Sequence, residues 1–391
     1  MTKDKNTCLV CRSSELLPLI DFGNCHSSSQ SYYVQPKFLE KENRLSISIC
    51  LKCEHIQNTH YELLNEIYES NYFSSSSFSK TLINHLSMTY SKVSKFIFPG
   101  KDDIIEIGPG DGQFLQFFTK DNFNCSCYEP SDAYEYIQDS KFLKKHKRYF
   151  EFEKDKSKCS LFIMRHVLEH LENPLHALKS IEAKYLFIEV PNADYLIKKN
   201  LYSDFYYDHV SYFTRNSLRK LLALSGYKLI EDDVSGLDEF IGVIAKKINN
   251  SNLIINTPLN IDKYQLESFS KGFYSYRMLI NGHIDSFINE GKRIVAWGAG
   301  ARGITLLERI DLDDKKISYI VDADRRKVGK YLVNFSQEIK DPNYLLKLPP
   351  DVIIITSLTF IDEILNHIKS LLNEVEIVTL YPYKKFRLYS P

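Results

Sequence analysis

The sequence predicts an α/β protein, with two sheets of the nucleotide-binding kind following a short cysteine-paired block. Three observations carry that prediction. Two stretches, "DDIIEIGPGDGQFLQFF" and "GKRIVAWGAGARGITLLERI", each run from an apolar strand through spaced glycines into a helical pattern. Around each of them, strand-length apolar runs alternate with segments of helical period. The start of the chain holds two C-x2-C pairs, "CLVC" and "CLKC", with little regular periodicity around them.

A chain of 391 residues is long for one domain, and three blocks separate. Residues 1–68 form the cysteine block. Residues 69–248 open with a helix around "KTLINHLSMTYSKVSKFI" and continue as strands and helices. Residues 249–391 begin with a polar linker, "NNSNLIINTPLN", pass through a long helical pattern, "DKYQLESFSKGFYSYRMLINGHIDSFINEG", and end in the second strand–glycine–helix series.

Lys+Arg and Asp+Glu both number 50, so the formal net charge is zero. That balance argues against a nucleic-acid binder that depends on bulk charge. The opening "MTKDKNT" is polar and lacks the apolar centre of a signal peptide, and no long apolar run is present. Neither export nor a membrane span is expected, and the predicted compartment is the cytoplasm. There the eight cysteines read as reduced thiols or metal ligands before disulfides.

The first block is explained by its cysteines. A C-x2-C knuckle turns the backbone so that two thiolates converge, and two knuckles complete a tetrahedral four-thiolate zinc site. The predicted ligands are Cys8, Cys11, Cys50 and Cys53. Four thiolates leave no open position, so the Zn2+ is structural. The long interval between the pairs predicts a short sheet or loop folded back on itself. Cys25 and His26 lie in that interval and rank below the paired cysteines as ligands.

The second block turns on "EIGPGDG". Glu106 is followed by Gly108, Gly110 and Gly112, and glycines at this spacing let a ligand approach the backbone at a helix N-terminus. The next strand, "NCSCYEP", ends in Glu129, where an acid binds the ribose hydroxyls of a nucleoside cofactor. An acid two residues before three alternating glycines is similar to motif I of class I S-adenosyl-L-methionine (SAM) methyltransferases. "HVLEHLENP" resembles the segment after the fourth strand of that fold, which makes His166 a cofactor contact. "YLFIEVPN" reads as the fifth strand, and "YKLIEDDVSGLDEFIGVIAKK" as the antiparallel pair that closes the sheet.

In the third block Gly298, Gly300 and Gly303 spell G-x-G-x-x-G after a strand, and Asp322 ends the next strand. By motif this is a dinucleotide site. The span from Gly291 to the end is nevertheless short for a complete six-stranded domain. Three readings stay open: nicotinamide cofactor binding, a contribution to binding a nucleotide-linked substrate, and glycines kept for strand–helix packing.

Taken in order, the three blocks resemble the sugar C-methyltransferase family of deoxysugar pathways. The resemblance rests on the paired knuckles, "EIGPGDG", "HVLEHLENP", "YYDHVSYFT" and "AWGAGARG". It implies an N-terminal zinc-binding domain, a class I SAM methyltransferase domain and a C-terminal Rossmann-like substrate-binding domain. It also implies methylation of the carbon next to the ketone of a nucleotide-linked 4-keto-6-deoxy sugar. The family carries a Tyr-x-Glu-His-like stretch ahead of a helix, matched here by Tyr206, Asp208 and His209. His209 is then the base that takes the C–H proton, Tyr206 its partner at the enolate, and Asp208 the group that orients the imidazole. Asp208 stands where the family has Glu, one methylene shorter. Tyr72, with Ser76 and Ser79 nearby, falls in the family's Tyr- and Ser-rich segment, although a second tyrosine expected near Ser74 is missing. The Pro-Gly-rich turn expected beyond "KVGKYL" is also missing. His170, one helical turn past His166, is a candidate for the substrate side, against the more common role of a histidine that caps or packs the helix. Three alternatives stay open: O- or N-methylation of a sugar or surface-polysaccharide precursor, a non-catalytic SAM-fold and zinc interaction protein, and an NAD-dependent enzyme.

Overall fold

A computed structural model of the chain describes residues 6–26, 31–38, 40, 43–62, 80–155, 158–248, 261–357, 360–380 and 383–389. Two compact units are present. The first comprises residues 1–23, 44–199 and 207–267, and the second residues 24–43, 200–206 and 268–391.

The first unit holds two sheets. Strand β1 (Leu16–Cys25) follows the first knuckle, β2 (Asn43–Cys50) runs into the second, and β3 (Ile56–Asn58) follows it. The larger sheet is built from β4 (Asp103–Ile107), β5 (Asn124–Tyr128), β6 (Leu143–His146), β7 (Cys159–Arg165) and β8 (Ala183–Pro191). A two-residue strand, β9 (Ser211–Tyr212), leaves that sheet's order and pairs antiparallel with β3, Tyr212 opposite Ile56 and Ser211 opposite Gln57. Strands β10 (Tyr227–Asp232) and β11 (Phe240–Lys247) close the larger sheet as an antiparallel pair. Its order is β10-β11-β8-β7-β4-β5-β6. β11 runs antiparallel to β8, and the strands from β8 to β6 run parallel. This is the strand order, with the same strand directions, of a class I SAM methyltransferase sheet.

The parallel strands are apolar on both faces because helices cover both. Ile105, Ile107, Phe162, Met164, Leu186 and Ile188 pack into one core, and Ile104, Leu161, Ile163 and Phe187 into another with Phe114 and Phe118 of the helix Gln113–Lys120. Each such side chain contributes about 1.5–3 kcal/mol on burial. Cys8, Cys50 and Cys53 belong to the first of these cores, beside Phe213 and Leu218. The cysteine module therefore shares its hydrophobic core with the larger sheet.

The helix Arg215–Leu224 starts where "TRNSL" predicts. Thr214 accepts from the backbone N–H of Ser217, whose hydroxyl accepts in turn from the N–H of Thr214. A cap of this kind is worth about 1 kcal/mol, and it fixes the segment ahead of the helix.

The second unit has its own sheet of β12 (Ile294–Trp297), β13 (Tyr319–Val321), β14 (Ile339–Lys340), β15 (Val352–Ile355), β16 (Glu374–Leu380) and β17 (Tyr383–Tyr389). The order is β14-β13-β12-β15-β16-β17. The short block still reaches six strands because β14 has only two residues and β17 turns back on β16 as an antiparallel hairpin. The long helical pattern is one helix, Lys263–Asn289, most of it in this unit. Among the described residues no helix is long and apolar enough to cross a membrane.

Candidate active site

The four paired cysteines converge. Their sulfurs lie within 4.8 Å of one another, with Cys8–Cys53 at 3.6 Å and Cys11–Cys50 at 3.5 Å. Disulfides need about 2.05 Å, so these are free thiols. A tetrahedron of sulfurs about 2.3 Å from a central zinc has edges close to the observed ones. The knuckle backbone supports the same reading. The N–H of Cys11 points at Cys8 Sγ (3.5 Å) and that of Lys52 at Cys50 Sγ (3.4 Å), donors that stabilise thiolate charge. Arg12 and Glu54, one residue past each pair, adopt φ of 62° and 59°. Non-glycine residues rarely take this left-handed turn, and both knuckles do so at the same position. Glu54 also ties the module down, taking the backbone N–H of Ile261 at 2.8 Å and the side-chain amide of Asn216.

The first glycine loop leaves β4 with Gly108, Gly110 and Gly112 at φ of 61°, 59° and 77°. All three need the left-handed region that glycine enters without strain. A Cβ on Gly108 would sit 2.6 Å from Val167 Cγ2, so the loop after β7 packs directly on the glycine loop. Glu129 is buried and already engaged. Gly110 N–H donates to its Oε2 (3.0 Å), and the N–H and hydroxyl of Ser131 donate to Oε1 (2.9 and 2.6 Å). A carboxylate has about four acceptor positions, so one remains for a ribose hydroxyl. Burial pushes its pKa up against these hydrogen bonds. Glu106 is the complement. It is 1% exposed, and its Oε2 has no hydrogen-bond partner among the described residues. Burial pushes its pKa up to about 7; Arg165 opposes this, and Glu129 and Glu189 add to it. A buried acceptor without a donor is costly, and a cationic amino group is the donor that suits it. The positive-φ loop and the orphaned carboxylate oxygen together fit SAM.

His166 stands just past β7 in a left-handed turn, φ 54°. Its two ring nitrogens lie 3.6 Å from Glu169 Oε1 and 3.6 Å from Glu189 Oε1. Burial pulls its pKa down, but the two carboxylates outweigh it and raise it to about 9. The proton is thus held more tightly in the fold than in the unfolded chain. The stability it gives is complete below the ordinary imidazole value of about 6.5 and is lost as pH rises through about 9. Thermal unfolding of the wild type across that window is expected to show the loss, and His166→Gln is expected to flatten it.

Pattern reading of the sequence missed the group behind His166. Glu189 of β8, fully buried, takes Arg165 Nε (3.0 Å) and Nη2 (2.7 Å) on Oε1 and faces His85 Nε2 (3.0 Å) through Oε2. His85 Nδ1 lies 2.9 Å from the Ser235 carbonyl. Against the effect of burial, Arg165, His166 and His85 hold the Glu189 pKa well below the carboxylate range. The available signal was a glutamate inside the apolar strand "YLFIEVPN", since buried charges are found paired.

Within the first unit, residues 210–212 of "YYDHVSYF" are fixed by backbone hydrogen bonds. β9 pairs with β3, Asn58 N–H donates to Val210 O (3.0 Å), and Val210 N–H donates to Glu169 O (2.9 Å). This places His209 against His170, ring centroids 4.6 Å apart and edge to face. His209 is 8% exposed, and burial, then the charges of His170 and His166, lower its pKa well below the usual imidazole range. It is neutral at physiological pH. Asp208 turns toward the second histidine of the pair: its carbonyl lies 2.9 Å from His170 Nδ1 and its carboxylate 4.0 Å from the same nitrogen. Tyr207 accepts from Glu62 N–H (2.8 Å). Tyr206 is partly buried and belongs to the second unit. Tyr72, Ser76 and Ser79 lie outside the described residues.

In the second unit the glycine motif is used internally. A Cβ on Gly298, at φ 114°, would meet Thr356 Oγ1 at 2.5 Å, and one on Gly303 would meet Gly298 O at 2.4 Å. Asp322 accepts from Ala299 N–H (2.7 Å), Lys327 Nζ (3.1 Å) and Asp324 N–H (2.8 Å). Tyr32 O–H donates to the Ala299 carbonyl at 2.7 Å. These contacts favour the packing role of the glycines over a nicotinamide site.

Comparison with known proteins agrees with the first unit's sheet and glycine loop. Residues 81–232 match the family described as a methyltransferase domain, and residues 259–382 match the C-methyltransferase C-terminal domain. The chain thus carries a methyltransferase domain followed by a C-methyltransferase C-terminal domain. Among individual proteins, it is similar to the C-methyltransferase NovU of Streptomyces niveus, 24% identical over 199 residues, which are 48% of this chain and 47% of that protein. The chain thus spans about half the length of the curated relative it matches. Solved structures with resemblance include magnesium protoporphyrin IX methyltransferase of Synechocystis PCC 6803 with bound SAH (TM-score 0.36, 11% identity, 45% of this chain and 90% of that one). A SAM-dependent methyltransferase from Archaeoglobus fulgidus gives TM-score 0.34 and 17% identity over 42% of this chain and 94% of that one.

Proposed function

We propose that the protein methylates a carbon next to the ketone of a nucleotide-linked 4-keto-6-deoxy sugar. The observation that carries this reading is the loop of residues 166–170. One side of it packs on the glycine loop through Val167, and the other holds His209 through Glu169 and His170. A cofactor-side wall and a neutral, buried proton acceptor are therefore neighbours. The match to a C-methyltransferase C-terminal domain and the similarity to NovU support carbon as the acceptor.

Glu106, the loop Gly108–Gly112, Glu129 and His166 would hold SAM, which supplies an electrophilic methyl group when bound. His209 takes the proton from the carbon beside the ketone, and the electron pair of the broken C–H bond passes into an enolate. Asp208 holds the imidazole pair through His170. Tyr206 and Tyr72 are proposed as phenols toward the sugar, on the strength of the sequence alone. Cys8, Cys11, Cys50 and Cys53 are proposed to hold a structural Zn2+ that supports β3 and, through it, β9.

The test is product analysis after incubation with SAM and a panel of nucleotide-linked 4-keto-6-deoxy sugars. The expected product carries one new methyl on a carbon. A methyl found on oxygen or nitrogen would replace this reading with O- or N-methylation.

A further inference from the structure

The proposed reaction puts a positive charge where the fold leaves little water. When the C–H bond breaks, the electron pair stays on the substrate as enolate and the proton arrives on His209, turning a neutral ring into an imidazolium. His209 is 8% exposed, and burying a charge without a counter-charge is strongly unfavourable.

Glu169 answers that need. Glu169 is 1% exposed, and neither of its carboxylate oxygens accepts a hydrogen bond among the described residues. One of those oxygens lies within 4.8 Å of a ring nitrogen of both His170 and His209. On its other side is His166 Nδ1, at 3.6 Å. The backbone holds the carboxylate there: the Glu169 carbonyl accepts from Val210 N–H at 2.9 Å, directly after His209. His170 Nδ1 faces the Asp208 carbonyl at 2.9 Å, which sets that ring's orientation. Among the described residues, Asp208 lies 4.0 Å from His170 Nδ1, and Glu189 lies 3.6 Å from His166 Nε2.

We propose that Glu169 is a positioning residue, the counter-ion that holds the imidazolium formed on the His170–His209 pair during proton abstraction. This rests on the reading of His209 as base. Glu169 touches neither substrate nor SAM in this account; it acts through the histidines. It also links the pair to His166, so the charge state on the cofactor side is felt on the substrate side.

The test is the imidazole titration of the full-length protein by 1H–15N NMR in wild type, Glu169→Gln and Glu169→Asp. His170→Asn and His209→Asn supply the assignments. Glu169→Gln is expected to lower the first protonation midpoint of the pair by about 1–3 pH units, and Glu169→Asp to restore part of the shift. Methyl transfer by Glu169→Gln is expected to fall, again with partial rescue by Asp. Midpoints unchanged in Glu169→Gln would overturn the proposal. So would a second divalent ion per chain, beyond the four-cysteine site, that is lost in Glu169→Gln, because Glu169 would then be a metal ligand. The titration needs no substrate. Shifted midpoints in a protein that neither methylates nor exchanges the carbon-bound proton would leave the pairing intact and defeat only the reading of the reaction.

Discussion

In the His209→Asn variant, methyl transfer falls by roughly 100- to 10,000-fold while SAM binding is retained. Asparagine is polar and close in size, but its amide cannot take a proton from carbon at neutral pH. The residues proposed to hold SAM lie on β4, β5 and the loop after β7, whereas His209 enters from the segment before β9, so cofactor affinity is expected to be insulated from the change. The pH dependence has a definite sign. Because the fold lowers the His209 pKa, first through burial and then through His170 and His166, the ring is unprotonated in the resting protein. Activity should therefore not fall as pH drops through about 6.5, where an ordinary imidazole would be half blocked. The same group destabilises the fold below that pH, since the unfolded chain takes up the proton first. A wild-type profile that halves near pH 6.5 and is flattened by His209→Asn would contradict the lowered pKa and leave His209 as the base.

Cys11→Ser and Cys50→Ser are expected to remove the proposed zinc, and the site is expected to be lost with it. Structural zinc sites bind with an apparent free energy of about 10 kcal/mol or more, and that energy is folding energy. Here it is coupled to the site through hydrogen bonds: the second knuckle leads into β3, β3 pairs with β9, and His209 lies two residues before β9. Metal analysis is expected to fall from about one zinc per chain to none. The melting temperature should drop, and methyl transfer should go with it. Cys25→Ser is the control. Cys25 is also buried, but its thiol donates to the Asn43 carbonyl at 3.2 Å and lies outside the four-sulfur cluster. That variant should keep its zinc. Loss of zinc from Cys25→Ser, or full zinc in Cys11→Ser, would contradict the ligand set.

Features with a local cause were legible in the sequence. The glycine loop declares itself because Gly108, Gly110 and Gly112 all need positive φ within five residues. The knuckles declare themselves because two thiols at x2 spacing have few other uses. The helix after Thr214 is announced by its own cap. What stayed hidden depends on partners far apart in the chain. Ser211 and Tyr212 pair with a strand some 150 residues earlier, and nothing in "YYDHVSYF" says so. The contact of the Asp208 carbonyl with His170 Nδ1 joins residues 38 apart, and "YYDHVSYF" does not announce it. Glu189, Arg165 and His85 come from three separate elements and meet only in the folded core. The second glycine motif is the converse case. Its spacing is that of a dinucleotide loop, but Lys327 and Tyr32 engage Asp322 and Ala299, an occupation that spacing cannot reveal.

The most direct measurement of the central claim is deuterium uptake. The purified protein would be incubated in heavy water with a nucleotide-linked 4-keto-6-deoxy sugar, with and without SAM, and the position of deuterium and of any new methyl mapped on the sugar. Carbon methylation through an enolate predicts that the carbon beside the ketone exchanges its proton in the wild type, that the methyl appears on that same carbon, and that His209→Asn does neither. Transfer of a methyl to oxygen or nitrogen with no deuterium at that carbon would contradict it.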